Sequence, residues 1–182
     1  MARYALFLVP ITHLRDAFGA DDELAARLRE VALTRLAPRP AERTLLDSLG
    51  PLQRRHRATE VRAVTPGRAD VEVLLRGASV PDSRRAASWQ VVVAWLEELS
   101  RACHLLEVPD RDDAWLRLLA AEDLRIPLLP VPGMLAGYTP NAHLAAVRST
   151  LPPGVAGDVV GLLAELPDDA NLPVDLVVVQ RP

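Results

Sequence analysis

Apolar residues follow two kinds of pattern along the chain, and together they predict a protein of mixed α and β structure. The terminal segments "RYALFLVPI" and "PVDLVVVQ" are short apolar runs rich in strand-forming residues, so each predicts a strand. Between them, apolar residues recur mainly at helical spacing. The order predicts an α+β fold, a mostly helical single domain over residues 1–182. Its small sheet joins the N-terminal and C-terminal strands with one or two extra strands and packs against helices.

The helical spacing covers most of the chain between the terminal strands. Its longest uninterrupted run is 83–108, which contains no proline or glycine and places Cys103 on an apolar stripe, so a buried thiol is expected there. For segment 51–70 the pattern fits either a loop or a strand at 59–64. Segment 69–78 is interpreted as a helix rather than a strand. The predicted helices are 13–18, 21–36, 41–51, 69–78, 83–108, 111–124, 140–150 and 154–166.

One stretch, "RIPLLPVPGMLAGYTPNAHLAAV" (125–147), combines four prolines with two glycines between two predicted helices. Prolines favour extended backbone and glycines permit turns, so the stretch is predicted to be a joint, with an edge strand running into a helix start. Thr139 is expected to cap that helix, with Pro140 at its first position. Thr12 is expected to cap the short helix 13–18 in the same way.

The composition indicates the cellular compartment of the protein and makes some classes of partner unexpected. The single cysteine cannot form a disulfide within the chain, which favours the reducing cytoplasm. The net charge of −3 makes nucleic acid an unexpected main partner, although "RRHR" (54–57) offers one basic cluster. The apolar run near the N-terminus is too short for a signal peptide or a membrane span, so no membrane association is expected. All 21 basic residues are arginine, which fits a GC-rich genome.

The sequence contains no motif that specifies a reaction, a metal or a cofactor. The four histidines stand at spacings unrelated to a metal site, and no nucleotide-binding or nucleophile motif occurs. We therefore predict no catalytic residue and no cofactor. If a pocket exists beside 125–147, its lining would be Trp115, Tyr138 and His143, which together could bind a small molecule.

Helix 154–166 is apolar on nearly all sides, which is typical of a helix that is buried or that docks against another surface. Burial within its own chain and an interface with a partner protein or a second copy both explain this pattern. The candidate interface residues are Gly157, Val160, Gly161 and Ala164.

Several segments resemble a family of uncharacterised bacterial proteins, common in GC-rich actinobacteria and distantly related to the YfbM-like domains. The resemblance lies in "YALFLVPITHLR", "VEVLLRGA", "SWQVVVAWLEEL", "LPVPGMLAGYTPNAHLAAV" and "DLVVVQ". It implies an α+β fold with the terminal strands together under packed helices, and it implies no catalytic residue. Asn141 and Ala142 stand where family members usually have acidic residues, and the closing strand lacks the aromatic ending. Some related domains are thought to neutralise toxins by binding them.

These observations predict a non-enzymatic cytoplasmic binding or accessory protein, immunity-like in the sense of that resemblance, that acts through a surface on a protein partner or a second copy. The alternative is a small-molecule binder or enzyme with its pocket beside 125–147.

Overall fold

The computed structural model describes residues 2–36, 65–109, 114–151, 161 and 174–181. The described elements confirm the predicted α+β class. The chain forms two compact units, and a single domain over 1–182 stays a prediction. Unit 1 comprises Met1–Asp16, Leu96–Ile126 and Pro130–Pro182, and unit 2 comprises Ala17–Trp95 and Pro127–Leu129. The predicted helices at 41–51 and 154–166 (Gly161 excepted) lie outside the described residues, as does the segment 59–64, for which a loop and a strand were both considered.

Unit 1 is built on a four-stranded antiparallel sheet. Its strands are β1 (Ala2–Val9), β2 (Ala102–Val108), β3 (Ala136–Thr139) and β4 (Asp175–Gln180), arranged in the order β2-β1-β4-β3. The two terminal strands, β1 and β4, lie side by side in the middle, which confirms the predicted pairing of the chain ends. The two extra strands form the edges of the sheet.

In the described part of unit 1, three short helices accompany this sheet: α1 (Ile11–Asp16), α5 (Ala114–Leu119) and α6 (Asn141–Thr150). Helices α5 and α6 each contact β4 and contribute leucines to a hydrophobic core on one face of the sheet. On the opposite face, five apolar side chains of β1 and β4 are buried as well: Ala5, Phe7, Val9, Val177 and Val179. The core cluster consists of Tyr4, Leu6, Leu8, Leu106, Val108, Leu116, Leu119, Leu144, Val174, Leu176 and Val178.

The long helix predicted over 83–108 is wrong in its C-terminal third. Helix α4 covers only Arg85–Leu99, and the chain continues as β2. The helix ends where the backbone N–H of Arg101 donates to the Leu8 carbonyl of β1 at 2.8 Å instead of to its own helix. Along β2, burial alternates with a period of two, as expected for a strand. Cys103 is therefore exposed, which overturns the expected buried thiol.

Unit 2 is helical in its described part: α2 (Asp22–Arg35), α3 (Arg68–Leu75), a 3₁₀ turn (Asp82–Arg84) and most of α4. Helix α3 confirms the helical interpretation of 69–78. Trp95 of α4 is fully buried, and its indole N–H donates to the Leu28 carbonyl of α2 at 3.0 Å. This bond satisfies the single polar group of a large buried side chain.

An ion pair between the buried Asp70 and the partly exposed Arg84 fixes the start of α3. Asp70 accepts a hydrogen bond from the backbone N–H of Gly67 at 2.7 Å and from Arg84 Nε at 2.8 Å. Burial raises the pKa of the Asp70 carboxyl, but these hydrogen bonds and the charge of Arg84 outweigh burial, so the pKa lies below its ordinary value. Asp70 is therefore a charged structural residue of unit 2.

Candidate functional site

The three residues predicted to line a pocket, Trp115, Tyr138 and His143, do not share one surface. Tyr138 pairs with Val177 of β4, so its side chain lies on the face of the sheet opposite the core cluster. Trp115 is half-buried on α5 and packs against that core cluster. The structure therefore places these two aromatic side chains on opposite faces of the sheet.

Tyr138 is enclosed by its neighbours. Its side chain is 7% exposed, and the Arg15 guanidinium carbon lies 5.6 Å from the centroid of its ring. Arg15 Nε also donates to the Leu124 carbonyl at 3.0 Å, which fixes the guanidinium over the ring. Arg15 Nη2 is buried and has no hydrogen-bond partner in the part of the chain that the structure describes. The cation–π contact ties α1 to β3, and the carbonyl bond ties α1 to Leu124. Together they leave little of the tyrosine for a ligand.

His143, in contrast, lies at the surface. Its side chain is 65% exposed, and Nδ1 is 3.8 Å from Glu122 Oε1, too long for a hydrogen bond. The pair attracts only when the imidazole is protonated, and solvent screens it. Its backbone N–H donates to the Pro140 carbonyl in the first turn of α6. Among the described residues, the geometry provides no polar group that orients this imidazole for proton transfer.

The starts of α1 and α6 depend on a single distant carboxylate. Asp175, the first residue of β4, lies beside the ends of β1 and β3. Its Oδ2 accepts from the Ile11 N–H at 2.8 Å, and its Oδ1 accepts from the Asn141 N–H at 3.0 Å. One side chain thereby satisfies an N-terminal donor of both helices.

The predicted caps are therefore corrected. Helix α1 begins at Ile11, so Thr12 lies inside it. Pro140 is the residue before α6 rather than its first helical residue, and no side chain at that position caps the helix. Thr139 ends β3, and its buried hydroxyl donates to the Leu119 carbonyl at 2.5 Å, where α5 ends. Its hydroxyl satisfies a C-terminal helix carbonyl instead of an N-terminal N–H.

The chain itself covers the outer edge of β3. The Glu122 N–H donates to the Tyr138 carbonyl at 3.0 Å, and the Tyr138 N–H donates to the Glu122 carbonyl at 2.9 Å. At Gly137 the two backbones approach so closely that a Cβ atom would lie 2.5 Å from the Ala120 carbonyl oxygen. The lack of a side chain at Gly137 therefore permits the segment 120–122 to close this edge. The prediction of an edge strand running into a helix start in 125–147 is confirmed by β3 and α6.

Among the described strands, β2 forms the other edge of the sheet, and we call its outer side the β2 edge, residues Ala102–Val108. The strand pairs with β1 over seven consecutive positions without a bulge. Cys103, Leu105 and Glu107 are exposed on one face, and Leu106 and Val108 are buried on the other. Leu105, at the centre, is 57% exposed. Sequence reasoning missed this surface because it assigned the residues to a helix. The local signal for a strand is short, the alternation of Leu106, Glu107 and Val108.

Three of the four predicted interface residues, Gly157, Val160 and Ala164, lie outside the described residues. Gly161 is described: it is helical and exposed, and an added Cβ would meet nothing within 4 Å. The basic cluster 54–57 also lies outside the described residues.

No group of three or more His, Cys, Asp or Glu side chains in the described ranges is arranged to hold a metal ion. Among the described helices, none is long and apolar enough to cross a membrane. Comparison with known proteins finds no family model that matches the chain, no similar curated protein and no solved structure that matches at a significant level. Membership of the family related to YfbM-like domains therefore stays a prediction.

Proposed function

We propose that the protein is a non-enzymatic binding protein of the cytoplasm that holds a protein partner by pairing a strand of that partner with the β2 edge. The observation that carries this proposal is a bulge-free seven-residue edge strand with an exposed leucine at its centre. An edge strand can pair with an added strand through backbone hydrogen bonds, while side-chain contacts select the partner.

Natural proteins usually protect edge strands by shortening them, by bulges, or by placing proline or several charges in them. Strand β3 is short, with four residues, and the chain covers it. Strand β2 has no proline and a single charged residue, Glu107, which pairs with Arg3 of β1 at 2.9 Å. These differences support a role for β2 in binding.

The exposed face of β2 gives the proposed surface its chemistry. Leu105 and Cys103 present apolar and weakly polar surface, and the ion pair of Arg3 and Glu107 borders it. Partner strands with an apolar residue opposite Leu105 fit this arrangement, because cross-strand apolar pairs stabilise antiparallel sheets.

The test uses a matched pair of exposed leucines. Leu105 is 57% exposed on β2 and Leu118 is 54% exposed on α5. Wild-type protein and the variants Leu105→Lys and Leu118→Lys would each be immobilised to capture partners from the host, with circular dichroism to verify folding. We expect the wild type and Leu118→Lys to retain the same specific protein and Leu105→Lys to lose it. Equal retention by both variants would contradict the proposal.

The alternative, a small-molecule binder or enzyme with a pocket beside 125–147, has less support. Trp115 and Tyr138 lie on opposite faces of the sheet, and Tyr138 is enclosed by Arg15. An accessory role of the toxin-neutralising kind that the resemblance implies would use a surface, and the β2 edge is our candidate for it.

A further inference from the structure

We infer that the strand bound at the β2 edge is β2 of a second copy of the chain, antiparallel, with Leu105 opposite Leu105. This inference rests on the proposed function and names the partner of the same surface. A two-fold axis relates two copies of one strand only in the antiparallel sense, and the contact is then the same on both copies. The four-stranded sheet becomes a continuous eight-stranded sheet with β3 at both of its edges.

The register follows from the position of Leu105. Strand β2 has seven residues, and Leu105 is the fourth. Pairing over the full length therefore places the two exposed leucines directly opposite each other. A shift of the axis by one residue to Leu106 leaves Leu105 opposite the charged Glu107 and shortens the paired segment to five residues. Full overlap thus gives both the most backbone pairing and the best apolar contact.

The same register keeps like charges apart. Glu107 of each copy lies opposite Cys103 of the other, so the two glutamates are four residues apart along the strand direction, ~14 Å. Each glutamate keeps its ion pair with Arg3 of its own copy. On the other face of the strand, Ala102 lies opposite Val108 and the half-buried His104 lies opposite Leu106.

The surface area that this strand pairing would bury is small for a protein–protein interface. A seven-residue strand is ~23 Å long, and pairing of one such strand buries less than the ~800 Å² per partner that is typical of stable interfaces. The dimer should therefore be weak and concentration-dependent.

Disulfide cross-linking tests the register directly. Directly opposite residues of an antiparallel pair have Cα atoms ~4.5–5.5 Å apart, within the range that a disulfide spans. In a Cys103→Ala background, we expect Leu105→Cys to form a disulfide-linked dimer under mild oxidation. Leu118→Cys in the same background is the control for random collision and should form none above background. Wild-type protein should not cross-link either, because its two Cys103 residues lie ~14 Å apart in this register.

A second measurement does not depend on introduced thiols. Sedimentation equilibrium of the wild type and of Leu118→Lys should show a concentration-dependent dimer, and Leu105→Lys should remain a monomer. Equal cross-linking of the Leu105→Cys and Leu118→Cys variants, or a wild type that stays monomeric at every concentration, would overturn the second-copy inference. If that happens while Leu105→Lys still abolishes capture of a different protein, the proposed function stands and only its partner was misassigned.

Discussion

The two edges of the sheet in unit 1 are built in opposite ways. At β3 the edge is short, and reciprocal backbone hydrogen bonds to Glu122 close it. At β2 the edge is long and regular, and it carries an exposed leucine at its centre. Within its described part, the chain thus covers one edge by its own folding, and the other edge is the strand that we propose pairs with a partner.

Because of this difference, we expect residues at the β3 edge to affect the stability of the fold and residues at the β2 edge to affect binding of a partner. The β3 residues at the closed edge, Gly137 to Thr139, are buried and hydrogen-bonded, so loss of their contacts should lower the free energy of unfolding. Side chains exposed on the β2 edge contribute little to folding because water already surrounds them. Substitutions at the two edges should therefore change different measurements.

The largest effect is expected for Gly137→Ala. The added Cβ would lie 2.5 Å from the Ala120 carbonyl oxygen and 2.8 Å from that of Glu122, so the covering segment must move away. We expect a loss of about 3 kcal/mol in the free energy of unfolding, measured by chemical denaturation. Gly161→Ala is the control, because a Cβ there meets nothing within 4 Å. Equal stability of the two variants would refute the close approach at Gly137.

Asp175→Ala should have the next largest effect. It removes the acceptor for the first N–H of both α1 and α6, at the ends of β1 and β3. We expect a loss of about 2 kcal/mol, because each lost cap typically costs about 1 kcal/mol. Asp175→Asn keeps one carbonyl oxygen and should lie between the wild type and the alanine variant. A thermal unfolding series of the three proteins would show this order, and an asparagine variant as unstable as the alanine variant would argue against the double cap.

Thr139→Val should cost less. The substitution removes the hydroxyl that donates to the Leu119 carbonyl and leaves that carbonyl without its side-chain donor. We expect a loss of about 1 kcal/mol, and faster amide hydrogen exchange at Tyr138 and Glu122 because the covering segment is held less firmly. Unchanged exchange at these two amides would show that the hydroxyl does not help to close the β3 edge.

Leu105→Lys should have the smallest effect on stability. We expect a change below about 0.5 kcal/mol, because the side chain is already mostly exposed. The same variant should abolish dimerisation in sedimentation experiments, unlike Leu118→Lys. A large loss of stability at Leu105 would remove the contrast between the two edges.

Much of the fold could be predicted from the sequence. The terminal strands, the helices α2 and α3, and the passage from an edge strand into a helix within 125–147 all follow from local patterns. The division between α4 and β2 could not be predicted in the same way. Residues 83–108 contain no helix-breaking residue, and only pairing with β1 makes the strand more favourable than a continued helix at Ala102–Val108.

The candidate sites were harder to predict than the elements. Tyr138 is one of two tyrosines in the sequence and is easily noticed there. Its burial, however, depends on Arg15, a residue close to the N-terminus. Leu105 has no local feature that marks it as exposed while its assignment is helical. Burial and exposure of single residues result from packing between distant segments, so they could not be obtained from periodicity alone.

The class of the fold, the positions of most elements and the joint at 125–147 follow from local sequence patterns, because they depend on the conformational preferences of neighbouring residues. Three features follow from packing between distant segments: which segment forms the fourth strand, which carboxylate caps two helices and which edge of the sheet the chain covers. Asp175 illustrates the reason: its partners are 164 and 34 residues away along the chain. Hydrogen bonds over such separations exist only after the strands have paired, so no local pattern contains them.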